Sequence, residues 1–405
     1  MKYLLLGMGI SNKSIERYFQ SQNISYCVYD DVTCPNEIKL DEIDIVIKSP
    51  GVNNDHFIIK GAKKVITDLE FFYLLSRKKT LITVTGSNGK TTTVSLLNHL
   101  LDNIDLGGNV GVPLFDFIDS DKDIIIEASS FMLEYTHTYR SKYNIILNIF
   151  KTHLEHHHTY VNYIKSKLKL LKNTLNDDYI IYNYDDVLLR RIIPNYQGIK
   201  VPFSRTRKVG IYLDNDKIKY DGKVLVDTKS INLIGDHNYS NVMAALGVII
   251  NYRGDIKSLA VFNGVKYRLE YIGSINNVKV YNDSKSTNFH ALYNAVNTFK
   301  GKRVVLICGG QKRDDDYKLF TNIDNIIRLY CYGDNRYDLS QYFNNININC
   351  YETLDDVFKN LDLSNCEVLL FSPGSVSYDQ FESYIKRGEE FERLVNKYLK
   401  EENTN

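Results

Sequence analysis

Thr80-Leu81-Ile82-Thr83-Val84-Thr85-Gly86-Ser87-Asn88-Gly89-Lys90-Thr91-Thr92 is the stretch from which the fold of this chain can be read. Thr80–Val84 is apolar and β-branched and reads as a strand, and Thr93–Leu101 reads as a helix. A nucleoside triphosphate between two such elements needs backbone N–H groups wrapped around its phosphates, a lysine for charge and a hydroxyl for Mg²⁺. Gly86, Ser87, Asn88, Gly89, Lys90, Thr91 and Thr92 supply these parts in strand–loop–helix order. Only Ser87 and Asn88 separate the two glycines, so this is a short variant of the common phosphate loop.

Downstream, strands are expected at Ile124–Ile126, Ile145–Ile149 and Tyr179–Tyr182, and a helix from Tyr160 to Asn173. A carboxylate at the carboxyl end of a parallel strand points into the ligand crevice of an open α/β sheet, which singles out Glu127 as a metal ligand. His153 follows its strand in the same way. The neighbouring His156, His157 and His158 are expected at the surface, because consecutive histidines do not share one face. Short β pieces between Lys200 and Leu233 are punctuated by Asp214-Asn215-Asp216 and Asp221-Gly222, a hairpin signal. A helix is expected over Asn241–Tyr252.

Upstream, Tyr3–Leu6, Ser25–Tyr29 and Ile43–Ile47 read as strands, with a helix over Ser14–Gln20, again a parallel α/β pattern. Gly7-Met8-Gly9 is half of a dinucleotide fingerprint whose third glycine is replaced by Asn12, and Asp30 ends the second strand where a ribose-binding carboxylate would sit. The apolar opening is read as that first strand rather than as a signal peptide. Beyond Val265, strands are expected at Val278–Tyr281, Arg303–Cys308 and Val368–Phe371, and a closing helix at Glu382–Lys400. Each of these strands ends in a polar or Gly-rich loop: Asn282–Asn288, Gly309–Arg313 and Ser372–Ser375. The coincidence points to a second ligand site. The basic run Arg77-Lys78-Lys79 suggests the first boundary, giving domains 1–78, 79–264 and 265–405.

Composition supports a globular, multidomain chain. Its 405 residues carry 50 Lys+Arg against 49 Asp+Glu, a net charge of +1 that argues against bulk nucleic-acid or anionic-membrane binding. No apolar run is long enough for a membrane span, so no membrane insertion is expected. The 6 cysteines show no CxxC or zinc spacing and read as reduced thiols, which points to a cytoplasmic protein.

These motifs resemble those of the Mur ligases, the ATP-dependent amide-forming enzymes of peptidoglycan precursor synthesis. The phosphate loop matches their TGTNGKTT pattern with Ser87 in place of Thr. Gly108–Pro113, Glu127–Phe131 and Gly235–Asn241 match in order. Asn282-Asp283-Ser284-Lys285-Ser286-Thr287-Asn288 is close to the NDSKATN of the D-glutamate-adding members, and Ser372–Phe381 to their SPACASxDQF. The resemblance implies three α/β domains: an N-terminal Rossmann-like domain for the UDP substrate, a central P-loop ATPase-like domain, and a C-terminal Rossmann-like domain for the amino acid. It implies ATP, two Mg²⁺ ions, and as substrates UDP-N-acetylmuramoyl-L-alanine and D-glutamate, joined through an acyl phosphate by a monomer.

The resemblance also carries roles for individual residues. Lys90 and Thr91 would hold phosphates and Mg²⁺, Glu127 would be a second ligand of that ion, and His153 would serve the other. Lys167 matches a lysine carbamylated in the family. Asn238, Asn241, Arg268 and Asp283 match nucleotide contacts. Ser11, Asn12, Asp30 and Asn109 match the UDP-sugar pocket, and Thr287, Ser377, Tyr378 and Tyr384 the amino-acid pocket. Lys312 and Arg313 are rivals for a D-glutamate carboxylate, the family's lysine falling at Arg313. Met132 replaces the usual Gln, Thr152 the usual Asp, and Tyr384 the usual Phe. Another Mur-type ligase, a folylpolyglutamate-type ligase and a non-catalytic P-loop module are the alternative readings.

Overall fold

The computed structural model describes residues 1–35, 37–76, 80–109, 111–311, 323–343 and 346–402. The chain forms two compact units, one of Met1–Asn232 with Asn238–Phe262, the other of Leu233–His237 with Asn263–Asn405.

The first unit begins with four short strands, β1 (Tyr3–Leu6), β2 (Tyr26–Tyr29), β3 (Ile45–Lys48) and β4 (Val65–Thr67), in the parallel order β2-β1-β3-β4. The expected helix is longer than its periodicity suggested and spans Ile10–Ser21. Strand β4 is absent from the sequence reading, because three residues give no alternation to detect. The boundary signal Arg77-Lys78-Lys79 lies outside the described residues.

The same unit holds a nine-stranded sheet. Its strands are β5 (Leu81–Thr85), β6 (Asp105–Gly108), β7 (Ile124–Glu127), β8 (Tyr143–Ile146), β9 (Tyr179–Asn183), β10 (Ile199–Ser204), β11 (Ile211–Asp214), β12 (Lys217–Tyr220) and β13 (Lys223–Asp227). They lie in the order β13-β12-β11-β10-β9-β8-β5-β7-β6. The sheet is parallel from β6 to β11 and ends in the antiparallel meander β11-β12-β13. Asn215, Asp216, Asp221 and Gly222 all have positive φ, as tight turns between right-twisted strands require.

One apolar core runs through both sheets. Tyr18 and Phe71 of the N-terminal segment pack on Phe115 at ring-centroid distances of 5.5 and 5.2 Å. Ser14 and Arg17 bond to Asp116 alongside, at 2.5 and 2.6 Å.

The second unit is a six-stranded sheet of β14 (Glu270–Ile275), β15 (Val278–Asn282), β16 (Val304–Gly309), β17 (Ile326–Tyr332), β18 (Asn347–Tyr351) and β19 (Val368–Phe371). Its order is β14-β15-β19-β16-β17-β18, with β14 alone antiparallel. Separate apolar clusters cover its two faces, which is why β16 is buried along its whole length. The closing helix is Tyr384–Glu402. No described helix is long and apolar enough to cross a membrane.

Candidate active site

Strand β5 runs into the helix Lys90–Leu100 through Gly86–Gly89. Gly89 has φ +88, and a Cβ there would overlap Asn241 Oδ1, so both the turn and the close approach require glycine. The loop is bracketed from outside. Asn148 Oδ1 accepts from Asn88 N at 2.9 Å, while its Nδ2 donates to Asn88 O at 3.1 Å. Ser87 Oγ shares a 2.8 Å hydrogen bond with Tyr163 OH and accepts from Phe150 N at 2.8 Å. Lys90 Nζ donates to Gly86 O at 2.7 Å and Ser87 O at 3.1 Å. Thr91 and Thr92 are buried, and Thr92 Oγ1 has no hydrogen-bond partner. Asn241 donates to Asn238 Oδ1 at 2.8 Å, which places those two expected nucleotide contacts beside the loop.

Glu127 ends β7, the strand next to β5, and is buried. Its Oε1 accepts from Asn109 Nδ2 at 3.0 Å, whereas Oε2 is buried without a hydrogen-bond partner. A buried carboxylate oxygen with no donor fits a cation ligand. Lys167 lies on the helix Tyr160–Leu168, fully enclosed, its Nζ donating to Gly86 O at 3.0 Å and sitting 4.9 Å from the Tyr163 ring centroid. Burial first, and the Lys90 charge second, hold its pKa well below the lysine range, against the pull of Glu127. A neutral amine is the form that carbamylation requires. His153 has a left-handed backbone, φ +56, and its ring lies 5.2 Å from Phe131. Burial lowers its pKa, with Lys90 and Lys167 adding to the effect and Glu155 opposing it. The orphan Oε2 of Glu127 is an oxygen donor of the kind Mg²⁺ takes, and Lys167 would add carboxylate-like oxygens only as a carbamate.

The expectation for the next histidines is corrected. His156 and His157 are buried, at 9% and 1% exposure, and both face Glu134. Consecutive imidazoles reach one carboxylate because His156 uses Nε2 and His157 uses Nδ1, two nitrogens at different distances from the backbone. His158 is exposed, as expected.

In the N-terminal segment, Asp30 accepts backbone N–H bonds from Met8, Val32 and Thr33 at 2.8, 3.1 and 2.9 Å, which hold its pKa at about 2. Asn12 is fully buried, and its Nδ2 donates to Leu6 O, Gly7 O and Ile47 O, tying the ends of β1 and β3 together. Ser11 bonds to the buried Asp68.

In the second unit, Asp283 follows β15, accepting from Leu269 N at 3.1 Å and Ser372 Oγ at 2.7 Å. Burial raises its pKa to about 7, against Ser372, Arg268 and Arg387. Arg268 Nε has no hydrogen-bond partner. Lys285 donates to Tyr384 OH at 3.1 Å. Thr287 is half-buried, Ser377 is buried and Tyr378 is 66% exposed. Lys312 and Arg313 lie outside the described residues. Of the preceding glycines, Gly309 N donates to Pro373 O at 2.9 Å, and Gly310 is anchored by Asn335, whose Oδ1 accepts from Gly310 N at 3.0 Å and whose Nδ2 donates to Ser375 Oγ at 2.7 Å.

Arg387 escaped the sequence reading. It is completely buried and donates to Ser284 Oγ, Ser284 O and Ser375 O at 3.1, 2.7 and 2.8 Å, joining the loops after β15 and β19. The available signal was Gly388, a helix-interior glycine whose added Cβ would overlap the Tyr267 ring.

Residues 84–249 match the Mur ligase middle domain. The UDP-N-acetylmuramoylalanine–D-glutamate ligase of Oenococcus oeni is 34% identical, covering 91% of this chain and 88% of its own. That of Caldicellulosiruptor saccharolyticus is 30% identical over 98% of both. Among solved structures, the MurF ligase of Thermotoga maritima in complex with ADP superposes with a TM-score of 0.64 at 16% identity, over 89% of this chain and 90% of that one. UDP-N-acetylmuramate–alanine ligase MurC from the same organism gives 0.61 at 19% identity, over 99% and 100%. At those identities the structures speak for the fold, whereas the two sequence relatives run nearly end to end with the chain and fix its kinship: it belongs to the Mur ligase family.

Proposed function

We propose that the protein is an ATP-dependent ligase that adds D-glutamate to UDP-N-acetylmuramoyl-L-alanine in peptidoglycan precursor synthesis. The observation that carries this reading is the end-to-end relationship to D-glutamate ligases, joined to a phosphate loop flanked by an orphan carboxylate oxygen and an enclosed amine. In this reading residues 1–78 bind the UDP substrate, 79–264 bind ATP and 265–405 bind the amino acid, and the enzyme works as a cytoplasmic monomer.

The alanyl carboxylate attacks the γ-phosphorus, ADP leaves, and an acyl phosphate remains. The amine of D-glutamate then attacks the acyl carbon, phosphate leaves, and the amide forms with loss of a proton. The first step brings two anions together, so positive charge at the phosphates governs its rate. Lys90 supplies one such charge, and its bonds to Gly86 and Ser87 preset the loop around it. Bound Mg²⁺ supplies further neutralisation, and Thr91, Glu127, His153 and carbamylated Lys167 are the residues that would hold it. Lys167 adds its neutral amine to CO₂, releasing a proton and leaving a carbamate anion where an ammonium would repel a metal.

Asn238, Asn241, Arg268 and Asp283 contact the nucleotide, and Ser11, Asn12, Asp30 and Asn109 the UDP substrate. Asn12 acts through the strand ends it ties, its Nδ2 being committed to three carbonyls. Thr287, Ser377, Tyr378, Tyr384 and either Lys312 or Arg313 receive D-glutamate. The test is ADP release by purified protein. It should require both UDP-N-acetylmuramoyl-L-alanine and D-glutamate, and L-glutamate should not replace the D form. Release with folate substrates, with L-glutamate, or with no amine at all refutes the assignment.

A further inference from the structure

Outside the phosphate site, one carboxylate and two imidazoles converge. Glu134 follows the short helix Ser130–Leu133, and His156 and His157 end the helix Leu154–His157. His156 Nε2 lies 2.9 Å from Glu134 Oε2, His157 Nδ1 lies 3.4 Å from Oε1, and one donor atom from each residue falls within 4.8 Å of the others. The group has an outer layer as well. Asn54 Nδ2 donates to Glu134 Oε1 at 2.6 Å, and His157 Nε2 is 3.0 Å from Ser130 Oγ. Ion binding at Nδ1 would displace the proton shared with Glu134 and leave His157 as the Nε2–H tautomer, with Ser130 Oγ accepting, the arrangement that metal-bound imidazoles adopt.

We propose that Glu134, His156 and His157 form a binding site for a divalent transition metal of the zinc class, separate from the Mg²⁺ residues Thr91, Glu127, His153 and Lys167. Zinc bonds place tetrahedral ligands about 3.3 Å apart, and the two imidazole nitrogens lie 2.9 and 3.4 Å from separate oxygens of the Glu134 carboxylate, so both stand near ligand spacing from it. Two imidazoles and one carboxylate select Zn²⁺, Co²⁺ or Ni²⁺ over Mg²⁺, which prefers oxygen and water. The carboxylate is ready as an anion: burial would raise its pKa, but the bonds from His156 and His157 bring it to about 2. Two lysines face it, Lys48 and Lys169, the second donating to Glu134 O. Burial holds Lys48 down at about 8 and Lys169 below its usual range, which weakens their hold on the protons that oppose a dication. An ion here would tie Glu134 to the turn that begins at His153, three residues before His156, and so clamp the backbone presenting the expected Mg²⁺ ligand.

Cobalt(II) titrated into chelator-treated full-length protein tests the site, because a tetrahedral nitrogen–oxygen set gives an intense visible absorption. One equivalent should bind in the wild type and in His153→Ala, Zn²⁺ should displace it, and millimolar Mg²⁺ should not. Binding should disappear in His156→Gln, with circular dichroism confirming the fold, and weaken about tenfold in Ser130→Ala. Should His156→Gln fail to fold, X-ray absorption of the wild-type cobalt protein decides by counting two imidazole ligands. Absorption lost in His153→Ala but kept in His156→Gln would assign the ion to the phosphate site. That result, no stoichiometric binding, or a spectrum without imidazole ligands would each overturn the proposal and leave an ion-pair network.

Discussion

Lys90 and Lys167 carry the same side chain and face the same loop carbonyl, Gly86 O, yet their charges differ in character. Lys90 is half-buried and keeps two carbonyl acceptors, while Lys167 is enclosed and pushed toward the neutral amine. Burial and, next to it, repulsion from the Lys90 ammonium on the same carbonyl weaken the hold of the more enclosed lysine on its proton. Lys90→Ala should therefore fold normally and lose activity by about 10²–10³-fold, the scale of a missing transition-state charge partner. Thermal melting and ADP release measured on one preparation check both halves of this expectation. Lys167→Ala should be inactive as well, but acetate or formate at high concentration should restore part of its activity by entering the vacated space as a carboxylate. A Lys167→Ala enzyme of full activity would show that Lys167 is not needed, and an inactive one indifferent to added acid would speak against the carbamate.

Among the elements, the loops after β15 and β19 owe their shape to one guanidinium. Arg387 fills three of its donor positions with Ser284 and Ser375 and is sealed from water. Arg387→Ala would leave buried carbonyls unpaired, at a cost of about 3–5 kcal/mol. Arg387→Lys should retain part of the stability but not the fork, raising the KM for the amino acid more than it lowers kcat. Chemical denaturation together with steady-state kinetics on D-glutamate separates the two effects. Whether such an element could be read from the sequence depended on how local its cause was. The turns at Asp214–Asp216 and Asp221-Gly222 were legible because those residues themselves favour positive φ. The phosphate loop was legible because all its parts are consecutive. Strand β8 was placed too late, at Ile145–Ile149, because Leu147 and Ile149 stay buried after the strand has ended at Ile146. Arg387 and Tyr163 were invisible because their partners lie far away in the chain, at Ser284 and Ser87. The cluster at Glu134 was missed because a rule about faces ignores which ring nitrogen does the bonding.

At the scale of the whole molecule, buried carboxyls set how stability responds to pH. Asp283 has a folded pKa near 7 against about 3.9 in an unfolded chain, so the folded state holds its proton more tightly. Its contribution is present below pH 4 and declines as the pH rises from about 4 to about 7, after which it is constant. Glu134, at about 2, has the opposite sign: its contribution is present above pH 5 and is lost on acidification. Asp283→Asn should remove the first slope, so the variant should gain on the wild type steadily between pH 4 and 7. Urea titration of the unfolding transition of the second unit, repeated across that range, reads the difference directly, and parallel curves would contradict it. The meander β11-β12-β13 gives the molecule a practical opening. Its Asp221-Gly222 turn stands at the end of the sheet most remote in strand order from β5, and a Cβ at Gly222 would meet nothing within 4 Å. That turn is a natural place to splice in an affinity handle, a fluorophore or a surface-immobilisation tag, giving a tethered ligase whose catalytic loops keep their native sequence.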